Sequence, residues 1–120
     1  MKQDLTNRSQ VELLVNKFYE KVQADEVLAP LFSHVDWVKH LPVMYNFWGS
    51  LLFGEQTYKG NPFQPHAVLP LQEKHFRQWL QLFIATVEEN FEGEKALEAV
   101  QRASAIAGVW QHKMGIASQA

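Results

Sequence analysis

The chain contains no cysteine among its 120 residues. A disulfide framework, a thiol nucleophile and a thiolate metal site are thereby excluded. Neither sign of charge dominates. The 11 Lys and Arg stand against 13 Asp and Glu, a net −2, which argues against a general nucleic-acid or anionic-membrane binder. No apolar run approaches the ~18 residues that a membrane helix needs. The opening MKQDLTNRSQ lacks the apolar stretch of a secretory signal, so a cytoplasmic protein is expected. There is no G-x-S-x-G, P-loop, Gly-rich dinucleotide fingerprint or H-E-x-x-H. His34, His40, His66, His75 and His112 are scattered without an i, i+4 pair, so no zinc site is expected. No alternating strand pattern, repeat or low-complexity tract is present.

What the chain does have is helical periodicity and aromatic mass. Apolar residues make up 47% and charged residues 20%, with 8 Phe, 4 Trp and 3 Tyr, and the length fits one domain spanning residues 1–120. Gln10 to Gln23 puts Val11, Leu14, Val15, Phe18, Tyr19 and Val22 on one face, with Thr6 or Ser9 as cap. A short helical turn follows between Asp25 and Phe32. Asp36 is placed to cap a helix whose stripe is Trp37, His40, Leu41, Met44, Phe47, Trp48 and Leu51. Pro42 should disturb it, giving an irregular start and regular helix afterwards. A fourth helix runs from about Gln72 to Phe91, with His75, Phe76, Trp79, Leu82, Phe83, Thr86 and Val87 inward. FEGEK makes the turn into a last helix that uses Leu97, Val100, Ala103, Ile106, Ala107 and Trp110. The fold class expected is all-α.

Between these helices, Phe53 to Leu71 carries Gly54, Gly60, Pro62, Pro65 and Pro70. A segment of that length without an element of its own is usually functional. The inward stripes also carry polar groups. Tyr19, His40 and Trp79 lie within apolar faces, where a hydroxyl or indole N–H needs a partner. Taken singly, Tyr19 and Trp79 read as core residues satisfied by a carbonyl, and His40 as a partly exposed histidine beside a kink. Haem accounts for the set together: it needs an apolar aromatic slot between helices, one imidazole for the iron and a few polar groups facing the iron's other side. The ligand must be a neutral imidazole whose second nitrogen donates elsewhere, usually to a carbonyl. His66, in the proline-bounded bend, suits that role better than His75.

The sequence also resembles a known family. The motifs are FYEKV at Phe18–Val22, W-x-x-H-L-P at Trp37–Pro42, NFW at Asn46–Trp48, Y-x-G-x-P at Tyr58–Pro62, H-x-x-L-P at His66–Pro70 and HFxxWLxLF at His75–Phe83. With FEGEKA at Phe91–Ala96 and RASAIA at Arg102–Ala107, they are similar to the group III truncated haemoglobins of bacteria. The resemblance covers essentially the whole chain. It implies a two-over-two helical sandwich around haem b, with His66 as the iron's proximal ligand. It implies distal roles for Tyr19, His40 and Trp79, and packing of Phe32 on the haem face. Met44, Phe47 and Leu69 would add cofactor contacts. For His75 two readings stand: a place at the haem edge near a propionate, or a helix-start residue without a haem role.

The resemblance implies reversible binding of O2, and of NO or CO, at a five-coordinate iron, in oxygen transport or in O2 and NO handling. Tyr19 O–H and Trp79 N–H are donors suited to a polarised O2, and tryptophan can only donate. Two such donors should make O2 release slow, poor for carriage and better for scavenging or redox work. His40 swinging between pocket and solvent would gate access. A redox enzyme of peroxidase or NO-dioxygenase type is the alternative. It would require a separate reductase, since no flavin or nicotinamide domain is fused to these residues. A cofactor-free helical interaction module is a third. A monomer is expected.

Overall fold

The computed structural model describes residues 2–58, 60–63, 66 and 69–116. The described residues form four long helices and one 3-10 turn: α1 (Arg8–Ala24), the turn Ala29–Phe32, α2 (Trp37–Phe53), α3 (Glu73–Asn90) and α4 (Glu94–Lys113). The α1–α2 pair packs on the α3–α4 pair, through α1 against α3 and α2 against α4. This is the all-α, two-over-two arrangement expected. None of the described helices is long and apolar enough to cross a membrane.

Each helix boundary has a local cause. Asn7, rather than Thr6 or Ser9, caps α1: its side-chain oxygen accepts from the Gln10 N–H at 3.1 Å. Thr6 instead donates its hydroxyl to Gln10 Oε1 at 2.8 Å. After α1, the Asp25 carboxylate accepts from the N–H groups of Val27 and Leu28 at 3.0 and 2.9 Å, an Asx-type turn leading to the 3-10 segment. Asp36 precedes α2 but makes no side-chain cap bond. Gly54 ends α2 at φ 66°, a left-handed position that glycine takes without a Cβ penalty.

Two expectations are corrected. Pro42 does not disturb the start of α2, which is continuous from Trp37 to Phe53. The exposed Pro42 removes one i to i−4 bond, from the carbonyl of Val38, and Val38 is itself 85% exposed, so water takes that carbonyl. Leu97 does not face the core; it is 59% exposed. The buried face of α4 is Ala96, Ala99, Ala103 and Ala107, small side chains that let α3 and α4 approach closely. The opening residues, for which the sequence offered no structure, pack onto the body of the chain. Leu5 is fully buried, Gln3 forms a parallel bridge with Phe91, and the Asp4 carboxylate accepts from the Lys95 and Ala96 N–H groups at 3.0 and 2.8 Å. Asp4 therefore supplies the cap that Gly93, at the start of α4, cannot.

The core is aromatic at its centre. Trp48 of α2 stacks on Phe83 of α3 at 4.8 Å, and Phe18 of α1 meets Phe83 edge-on at 5.1 Å. These contacts lock three helices around the cavity described next.

Candidate functional site

A cavity lies between the helices, with about 800 Å³ of empty space when its open mouth is counted. Tyr19, Phe32, His40, Met44, Phe47, His66, His75 and Trp79 all line it. The helices and the segment before α3 thus bring together every expected site residue except Leu69. Leu69 is placed differently because its N–H closes a turn onto the His66 carbonyl at 3.0 Å. Leu71, two residues on, lines the cavity instead.

His66 has the features of an imidazole prepared for a metal. It lies in helical backbone rather than a bend, and its Nδ1 bonds the Pro62 carbonyl at 2.7 Å. A carbonyl only accepts, so Nδ1 carries the hydrogen and Nε2 keeps its lone pair. Burial pushes the His66 pKa down, against the opposing pull of the Pro62 bond, which keeps the ring neutral. Trp110 of α4 packs on the ring at 4.7 Å and Phe32 lies 6.4 Å away. The expectation from the sequence gave Trp110 only a place in the α4 stripe. Its part beside His66 depends on a contact across the chain that no spacing within α4 reveals.

A second group of rings surrounds Tyr19. Trp37 lies at 5.1 Å, His40 at 6.1 Å and Phe18 at 4.9 Å, and Phe18 also meets Trp79 at 5.7 Å. Neither the Tyr19 hydroxyl nor the Trp79 indole N–H has a hydrogen-bond partner among the described residues, yet no buried polar side-chain atom among them is left both sealed and unpaired. Both groups line the cavity, so their donors are available to whatever occupies it. Burial pushes the Tyr19 hydroxyl far up, so it stays protonated and able to donate. Burial also lowers the His40 pKa, with a smaller contribution from His66.

His75 spends one nitrogen locally. Its Nδ1 accepts the Gln72 N–H at 2.8 Å, in a reciprocal capping box at the start of α3. Burial and the neighbouring Lys74 both lower its pKa, consistent with an accepting ring nitrogen. It caps α3 and also borders the cavity, which leaves both readings of this residue standing.

The profile of the bacterial-like globin family matches residues 4–110. The chain belongs to that family. Among curated relatives, the group 3 truncated hemoglobin ctb of Campylobacter jejuni is 32% identical over 95% of each chain. The crystal structure of a group III truncated hemoglobin from Campylobacter jejuni superposes with a TM-score of 0.87, at 33% identity over 95% of each chain. The 2/2 hemoglobin of Synechococcus has a TM-score of 0.72 at 24% identity, covering 90% of this globin and 89% of that chain; at that identity it supports the fold alone. The globin's cavity therefore sits in a fold whose members are haem proteins.

Proposed function

We propose that this globin binds a haem b in the cavity, with His66 Nε2 as the iron's protein ligand, and that it reversibly holds a small diatomic ligand, O2 foremost, beside Tyr19 and Trp79. The observation that carries this reading is the state of His66: Nδ1 committed to a backbone carbonyl, Nε2 free, ring neutral and walled by apolar side chains. The residues fit the group. Phe32, Phe47, Met44 and Ile106 offer apolar contact to a flat macrocycle. The chain has no cysteine for a thioether link, which favours a haem held without covalent attachment. Haem supplies a coordination position at which a diatomic ligand is polarised.

The protein's own contribution is donation. Tyr19 and Trp79 line the cavity, neither the Tyr19 O–H nor the Trp79 Nε1–H has a partner among the described residues, and both stay protonated at neutral pH. Hydrogen bonds to an electron-rich ligand are worth more in a dry, low-dielectric cavity than in water. Slow release of O2 follows, with less benefit for CO, which is less polarised. This suits O2 or NO handling better than carriage. The test is the O2 dissociation rate of the haem-loaded protein. Tyr19→Phe should release O2 at least ~10-fold faster, the value of one hydrogen bond of about 1.4 kcal/mol. An unchanged rate would remove Tyr19 from the ligand's surroundings.

A further inference from the structure

A second pocket lies on the surface beside the Tyr19 end of the cavity. It is bounded by Gln23, Ala29, Phe32, Ser33, Val35 and Trp37. Two of these, Phe32 and Trp37, also line the main cavity. They form the partition between outside and inside. The two are not equally fixed. Phe32 closes the 3-10 turn and lies 6.4 Å from both His66 and Trp37. Trp37 is the first residue of α2, preceded by an Asp36 that makes no side-chain cap bond. Its indole N–H has no hydrogen-bond partner among the described residues. Rotating that ring would break only packing, against Tyr19 at 5.1 Å, His40 at 5.6 Å and Phe32 at 6.4 Å.

We infer that small uncharged ligands reach the cavity through the pocket beside Gln23 and Ser33, and that Trp37 is the side chain that opens and closes this passage. The inference rests on the haem reading above for its ligand class, but not for its geometry. The passage selects by polarity. Its outer rim is wet and carries an amide and a hydroxyl, Gln23 and Ser33, while its inner wall is two aromatic rings. A diatomic such as O2 or CO crosses such a wall without losing hydrogen bonds, whereas an anion would shed its hydration there at large cost. The route differs from a gate made by His40. However, the two share a contact: when Trp37 turns away, His40 loses one of the rings that holds it.

The test uses the haem-loaded protein with CO as probe, following bimolecular rebinding after flash photolysis. Two variants separate the passage from general loosening. Trp37→Ala removes the partition and should speed rebinding on the order of tenfold. Gln23→Trp fills the outer pocket from the exposed face of α1, outside the main cavity, and should slow rebinding while leaving the absorption spectrum unchanged. In the CO-loaded wild type, dissolved xenon should shift the Trp37 indole N–H signal, identified by its loss in Trp37→Phe. Rebinding within about twofold of wild type in both variants overturns the passage. Faster rebinding in Trp37→Ala with an unchanged rate in Gln23→Trp also overturns it, and leaves Trp37 as packing for His40. A wild-type protein that takes up no haem, seen as a missing Soret band, overturns the haem reading and the passage together. An intact band with unmoved rates and no xenon shift overturns the passage alone.

Discussion

At the residue scale, the histidines set the protein's response to acid. Burial lowers the pKa of His40, His66 and His75 below the ordinary 6.5. Each is therefore neutral in the folded chain at a pH where the unfolded chain has begun to bind protons. The unfolded state then holds more protons, and stability rises with pH across the interval between folded and unfolded pKa values. Stability should be full above pH 6.5 and fall on acidification below it. Urea denaturation at a series of pH values checks this, and a flat profile between neutral and mildly acid pH would contradict it. For His75, whose pKa is lowered by burial and by Lys74, protonation also has a local structural consequence. Protonating Nδ1 breaks the bond it accepts from Gln72 N–H, so His75→Ala should flatten part of the acid slope and cost roughly 1 kcal/mol, the usual worth of a cap. It should not remove the cofactor.

At the scale of elements, the helix interiors were legible in the sequence and several helix ends were not. The stripes of α1, α2 and α3 follow from apolar spacing, because a helix repeats every 3.6 residues and must bury one face. The N-terminus of α4 depends on Asp4, about ninety positions away along the chain, and no local pattern can show that. Leu97 misled for a related reason: a run rich in alanine offers no strong stripe, and a large apolar residue in its first turn drew the face toward itself. Two variants probe these joints. Asp4→Ala leaves the Lys95 and Ala96 N–H groups without their acceptor and should cost about 1–2 kcal/mol of unfolding free energy. Gly49→Ala drives a Cβ into Glu55 Oε1, so the Glu55 side chain must move and release its 2.8 Å ion pair with Arg8. That pair is partly exposed, so the loss should be small, ~0.5–1 kcal/mol. Equal costs at the two positions, measured by denaturant midpoint, would show that the Asp4 cap is not the stronger tie.

For the whole molecule, the cavity and the fold are one construction. All four helices supply walls, three of them joined through Trp48, Phe18 and Phe83, and His66 meets them from the segment before α3. Which residues line the cavity was largely readable, since Tyr19, His40, Trp79 and His66 sit in motifs that resemble a known family. What could not be read was how those residues meet their neighbours. Trp110 against His66, Trp37 between two pockets, and Leu71 in the place expected of Leu69 all depend on contacts between segments. Such a cavity gains stability from its occupant: a ligand that binds the folded state alone stabilises it by RT ln(1 + [L]/Kd). Haem should therefore raise the melting temperature in a concentration-dependent way, and His66→Ala should weaken that dependence. The most direct measurement is the absorption spectrum of the purified protein supplied with haem, recorded beside His66→Ala and His75→Ala. The account expects a strong Soret band in the wild type and in His75→Ala, lost or altered in His66→Ala. A colourless wild type would contradict the haem site, and loss of the band in His75→Ala with retention in His66→Ala would contradict the assignment of the iron's ligand.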